Sequence, residues 1–176
     1  MIFDAATSAV ASNKIGIARR LGAKLEPGWL ADEFGTPIME TMEVPEKYQL
    51  LPVGATRELG SHKGYGLSCI VDILGGVLTG FGYGASPGRP NFGHYVAAYK
   101  IDAFTDVDDF KSTMDEWMYM MKNTKPAPGE ERVMVAGQPE HEMELIRSKE
   151  GIPLHQEVVD WFKDICGELS VEFSLG

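Results

Sequence analysis

The chain has 176 residues, and its 16 Lys+Arg against 26 Asp+Glu give a formal net charge of −10 with histidine neutral. Apolar residues make up 44% and charged residues 24%, the balance of an ordinary globular protein rather than a disordered one. Such acidity excludes a general nucleic-acid binder, which needs a basic face, and no run approaches the 18 apolar residues of a membrane span.

The length suits one domain with a sizeable core, or one domain with an appendage. The opening residues MIFDAATS lack the basic flank and apolar stretch of a secretory signal. Cys69 and Cys166 are too few for a disulfide scaffold and fall in apolar stretches. They are expected as buried thiols of a reducing cytoplasm.

Ile2-Phe3 reads as a short strand, and Thr7 or Ser8 is expected to cap a helix over about residues 9–21. Val10, Lys14, Ile17, Ala18 and Leu21 follow helical spacing, and Gly22 stops it. Residues 23–59 are broken by Pro27, Gly28, Gly35, Pro37, Pro45, Pro52 and Gly54. That stretch reads as loop with short extended pieces such as Gln49-Leu50-Leu51. A second helix is expected from Lys63 or Gly64 to Thr79; its apolar residues point in almost every direction. Such a helix belongs in a core or an interface. Its Gly64, Gly66, Gly75 and Gly76 suggest the close approach of another backbone or a ligand.

A glycine- and proline-rich loop spans residues 80–93, and residues 94–101 then alternate like a strand. Thr105 or Asp106 is expected to cap the next helix, whose stripe is Phe110, Met114, Trp117, Met118 and Met121. Core or subunit contact is the simplest use of that stripe. Residues 132–136 form a strand candidate, followed by helices over about 139–149 and 154–169. This order predicts an α/β fold, a mixed sheet covered by helices.

Neither standard phosphate cradle is present. Gly80-Phe81-Gly82-Tyr83-Gly84-Ala85 starts like a dinucleotide fingerprint, but Pro87 interrupts the helix that should follow. More informative is Gly60-Ser61-His62-Lys63-Gly64-Tyr65-Gly66. There a cation and a histidine sit where a glycine-rich turn enters a helix, whose first N–H groups and dipole favour an anion. A phosphate or carboxylate site is one reading; a solvated Lys63 with packing glycines is the other. For Thr7 and Ser8, capping competes with contact to a ribose or pyrophosphate. His62, His94, His141 and His155 show no metal spacing, and neither cysteine belongs to a CxxC pair. His94 either faces a cleft or caps a strand edge.

Taken in order, several passages resemble the malate/L-lactate dehydrogenase family of NAD(P)H-dependent, non-Rossmann oxidoreductases. They are Phe3-Asp4-Ala5-Ala6-Thr7-Ser8-Ala9-Val10-Ala11, Leu51-Pro52-Val53-Gly54 and His62-Lys63-Gly64-Tyr65-Gly66-Leu67. Val71-Asp72-Ile73-Leu74-Gly75-Gly76-Val77-Leu78, Gly93-His94-Tyr95 and Gly137-Gln138-Pro139-Glu140 continue the match. The resemblance implies a sulfolactate-dehydrogenase-like mixed α/β cofactor domain over residues 1–136. Residues 137–176 would be a helical segment packing back on it, within a cytoplasmic homodimer.

It further implies NAD or NADP as cofactor and a small 2-oxoacid or 2-hydroxyacid as substrate. Cofactor contacts are expected from Phe3, Asp4, Ala5, Ala6, Thr7, Ser8, Ala9, His62, Lys63, Gly137, Gln138 and Pro139. The family commonly has Gly-Glu where this chain has Gly137-Gln138. Its catalytic histidine, in a Ser-His-Gly passage, lies upstream of the segment matching Ile2. The chain therefore resembles a C-terminal half, with no catalytic residue assigned here and no metal. A non-catalytic nucleotide-binding or dimerisation remnant is the alternative.

Overall fold

A computed structural model describes residues 1–86, 88 and 93–175. They form two compact units, one of Ala5–Thr105 and one of Met1–Asp4 with Asp106–Gly176.

In the first unit, α1 spans Ser12–Leu21 and ends at Gly22, as the spacing predicts. It starts later than expected. Ala11 is the N-cap and no side chain caps the helix, because residues 7–9 are held extended against residues 51–53. Ala9 N–H donates to the Leu51 carbonyl at 2.7 Å, Val53 N–H donates to the Thr7 carbonyl at 3.0 Å, and Ser8 bridges to Pro52. The cap assigned to Thr7 or Ser8 is therefore corrected.

The stretch over residues 23–59 carries more structure than its prolines suggest. Strands β1 (Leu30–Ala31) and β2 (Gln49–Leu50) pair antiparallel, Leu30 opposite Leu50. Isolated bridges join Leu25 to Met42 and Ala31 to Pro37. These pieces close over α1, so that Val10, Ile15, Ala18, Leu25 and Leu30 form a buried cluster. Ile15 and Leu30 are the largest fully buried side chains, each stabilising the unit by about 1.5–3 kcal/mol relative to exposure.

Helix α2 spans Ser61–Asp72 and runs on as a π-helical turn over Ile73–Val77. Leu78 N–H reaches back five residues to the Ile73 carbonyl at 2.7 Å. The Gly75-Gly76 pair weakens the α-ladder there, and the Thr79 hydroxyl takes up the Gly75 carbonyl at 2.7 Å. The expectation that this helix is buried fails within the chain. Val71 is 61% and Leu78 65% exposed. Burial is confined to Gly64 and Gly76.

Residues 93–100 form no regular element and among the described residues no strand lies alongside them; Val96 is 91% exposed, and Ile101 opens a 3-10 turn over Ile101–Ala103. Their alternation is that of a strand; the ladder partner is what is missing. The same holds for Ile2-Phe3 and for residues 132–136, where one hydrogen bond, Ile2 N–H to the Ala136 carbonyl at 3.1 Å, replaces the expected strands. Pro87, expected to bar a helix after the Gly80-to-Ala85 stretch, lies outside the described residues.

In the second unit, α3 covers Val107–Lys122 and is capped as predicted. Asp106 Oδ1 accepts from the amides of Asp108 at 2.8 Å and Asp109 at 3.1 Å. Its Met114, Met118 and Met121 are half-buried along the expected stripe. Helix α4 spans Gln138–Glu150 and α5 spans Gln156–Glu168. The fold is thus a helix-rich α/β arrangement with a small sheet. Cys69 and Cys166 are half-buried rather than buried.

Candidate functional site

Each unit holds part of the expected cofactor set. In the first, Ala5 and Ala6 are exposed and Thr7, Ser8 and Ala9 are half-buried where they run along residues 51–53. Gly64, on the first turns of α2, packs on the same segment. A Cβ there would meet the Val53 carbonyl oxygen and lie 2.6 Å from Val53 N. Only glycine lets the backbones come this close.

A second tie is polar. The Ser68 hydroxyl lies 2.7 Å from Thr7 Oγ1 and 3.0 Å from the Gly64 carbonyl oxygen. Glycine packing on Val53 and this hydroxyl pair tie the start of α2, which carries His62 and Lys63, to the Thr7-Ser8 junction. In the sequence Ser8 and His62 stand 54 residues apart. Ser68 had not been singled out, although it stands one turn after Gly64 on the same helix face.

His62 and Lys63 are both exposed. Among the described residues, neither takes part in an ion pair with an acidic side chain. His62 lines a cavity of about 630 Å³ with Pro52, Arg57, Ser61 and Tyr65, a volume in the range of small-molecule sites. Arg57 had no motif to announce it. The helix N-terminus contributes less than the sequence suggested, since Ser61 N–H donates to the Thr56 carbonyl and Lys63 N–H to that of Gly60. Anion attraction here rests on side-chain charge. His94 lines another cavity of this unit, with Tyr65, Asp72 and Tyr95 among its walls. It faces a cleft rather than capping a strand.

In the second unit, Phe3 and Asp4 meet Gly137 and Pro139. They line a cavity of about 790 Å³ together with Ile2, Ala136, Glu140, His141 and Glu144. Gly137 adopts φ 87°, and a Cβ there would lie 2.8 Å from the Ile2 carbonyl oxygen. Both the left-handed backbone and the tight contact require glycine. Gln138 is half-buried and does not line the cavity; its amide nitrogen donates to Glu142 Oε1 at 2.9 Å. Arg132 grips Glu142 from the other side. That pairing first, and the Gln138 bond second, hold the Glu142 carboxyl below its ordinary range. Among the described residues, no cluster of three His, Cys, Asp or Glu is arranged to hold a metal. Among the described residues, no helix is long and apolar enough to cross a membrane.

The family model for malate/L-lactate dehydrogenase matches residues 1–163. The chain belongs to that family. Malate dehydrogenase of Pyrococcus abyssi is 34% identical over 177 residues, covering 97% of this chain and 49% of that protein. The ureidoglycolate dehydrogenase (NAD(+)) of Escherichia coli K12 is 26% identical, covering 92% and 46%. The crystal structure of malate dehydrogenase from Entamoeba histolytica superposes with a TM-score of 0.83 at 27% identity, over 98% of this chain and 52% of that one. The chain therefore spans about half the length of the relatives it matches. The sulfolactate-dehydrogenase-like fold expected from the motifs is the fold these neighbours share.

Proposed function

We propose that this dehydrogenase-family chain supplies the cofactor-binding part of an NAD(P)H-dependent oxidoreductase that interconverts a 2-oxoacid and a 2-hydroxyacid. The observation carrying this reading is the seating of Gly64 and Ser68 on the segment that runs along Thr7. It assembles two of the motifs of the family resemblance around one point. A relative whose name carries NAD(+) supports a nicotinamide cofactor.

The residues fit such a group on two counts. Lys63 and His62 are exposed, and Arg57 puts a cation on the cavity wall beside His62, which suits a pyrophosphate. The Phe3, Asp4, Gly137 and Pro139 cavity is large enough for part of a dinucleotide.

When bound, the cofactor supplies a hydride from its nicotinamide ring to the substrate's carbonyl carbon. The chain's own residues bind and orient it. Lys63 offsets the repulsion between an anionic cofactor and a protein of net charge −10. In the first unit Ser68 fixes Thr7, and in the second the backbone at Gly137 shapes the cavity wall. The group that protonates the forming alkoxide is assigned to none of the four histidines here.

The exposed apolar side chains of α2, among them Ile70 and Val71, favour a second reading: a nucleotide-binding, dimerising chain without turnover. The homodimer belongs to both readings. NADH and NADPH are titrated into the purified chain by nicotinamide fluorescence, followed by 2-oxoacids with absorbance recording. Binding with oxidation of NADH supports the first reading, binding alone the second. Binding of neither cofactor refutes both.

A further inference from the structure

The Gly137-Gln138-Pro139 stretch departs from the family pattern at Gln138, and the structure gives that amide a specific task. Its Nε2 donates to Glu142 Oε1 at 2.9 Å, while its Oε1 accepts from Val135 N–H at 3.4 Å. Arg132 Nη1 donates to the same Glu142 Oε1 at 2.9 Å and Nη2 donates to Oε2. This is the two-pronged guanidinium–carboxylate geometry that fixes orientation as well as distance. Within the same turn, Ala136 accepts from Ile2 N–H at 3.1 Å, and Gly137 presses on the Ile2 backbone. Both residues line the cavity with Phe3 and Asp4.

We propose that Arg132, Glu142 and Gln138 are positioning residues, a clamp that holds the Ala136-Gly137 turn on Ile2 and so sets the shape of the cofactor wall in this unit. The inference rests on the reading of that cavity as a cofactor wall. It also explains the departure. Position 138 must donate to Glu142, which an amide does and an ionised carboxylate does not. A glutamate there would set two carboxylates against each other, one already committed to Arg132. The remaining charged groups around them are His141 beside Glu142 and Glu131 beside Arg132. Asp4, Glu140 and Glu144 lie on the cavity side.

The test is Gln138→Glu in the full chain, read near pH 7.5 and near pH 5. Two readouts are used: NAD⁺ affinity by calorimetry, and the exchange protection of the Ile2 amide by NMR. Facing carboxylates share a proton, and the substituted carboxyl takes it at raised pKa because Glu142 is held ionised by Arg132. Near pH 7.5 both readouts are expected to fall about tenfold, and near pH 5 to return within about twofold of wild type. Gln138→Ala and Glu142→Ala are expected to lose both at either pH.

Wild-type protection in Gln138→Glu near pH 7.5 overturns the clamp. Loss of NAD⁺ affinity in Gln138→Ala with Ile2 protection intact also overturns it, because Gln138 then touches the cofactor directly. If wild type binds no NAD⁺, the cofactor reading fails by itself. Ile2 protection then decides the clamp alone, its pH-reversible loss in Gln138→Glu supporting it and its persistence refuting it.

Discussion

Gly64→Ala and Gly66→Ala are the same change two residues apart on one helix, and the structure gives them opposite signs. Alanine in place of an interior helical glycine stabilises by about 1 kcal/mol. At Gly66 nothing lies within 4 Å of the added Cβ, so that gain is expected in full. At Gly64 the Cβ meets the Val53 carbonyl oxygen, with Val53 N at 2.6 Å and Cα at 2.9 Å. Backbone cannot rotate aside as a flexible side chain can, so residues 51–53 must move. That movement stretches two hydrogen bonds, Val53 N–H to Thr7 at 3.0 Å and Ala9 N–H to Leu51 at 2.7 Å. Each contributes about 0.5–1.5 kcal/mol, and overpacking adds about 1–3 kcal/mol of strain. After subtracting the propensity gain, Gly64→Ala is expected to cost about 1–5 kcal/mol. Urea unfolding of the three chains reads the difference as opposite shifts in midpoint at unchanged slope. Equal stability of the two variants would refute the close packing of α2 on Val53, and with it the assembly of the Thr7 and Lys63 motifs.

Three further perturbations test separate features. Lys63→Gln is expected to weaken NADH binding about tenfold at low ionic strength, a gap that narrows in high salt as screening replaces the lost charge; fluorescence titration at two salt concentrations reads it. Asp106→Ala removes the cap of α3 and is expected to destabilise the second unit by about 1 kcal/mol, seen as a lower urea midpoint. Asp32 accepts from the amides of Thr36 at 2.8 Å and Phe34 at 2.9 Å. The Thr36 amide foremost holds its carboxyl below the ordinary aspartate range. Its contribution is therefore present above that range and lost as pH falls through the depressed value. The difference in melting temperature between wild type and Asp32→Ala should be full at neutral pH and shrink in strong acid; a constant difference would contradict it.

How much was legible depended on how local each signal was. The helices α1, α3, α4 and α5 were visible because their spacing and stops lie within a few residues of one another, although of the expected caps only that of α3, at Asp106, is found. The core of the first unit was not visible. Leu25 is buried through a single bridge, Leu30 in a two-residue strand and Leu51 through backbone bonds to Trp29 and Ala9, pairings too short to leave a period in the sequence. Residues 94–101 and 132–136 show the converse. Alternation tells which faces a strand would present, but a ladder needs a partner chain that alternation cannot name.

The candidate site divides along the same line. His62, Lys63 and Thr7 stood out by residue type and motif, but their proximity depends on Gly64 fitting against Val53, a contact between distant segments. Ser68 and Glu142 each lie one helical turn from a residue already selected, Gly64 and Gln138. They were within reach of i, i+4 reasoning. Arg132 and Arg57 were not, since neither shares an element with its neighbours at the site. The Gln138 departure illustrates what this costs. As a lone substitution, an amide for a carboxylate reads as a weakened cofactor contact. Beside Glu142 and Arg132 it is the only one of the two residues that can complete the hydrogen-bond chain at neutral pH, and the difference between those readings is a single tertiary contact.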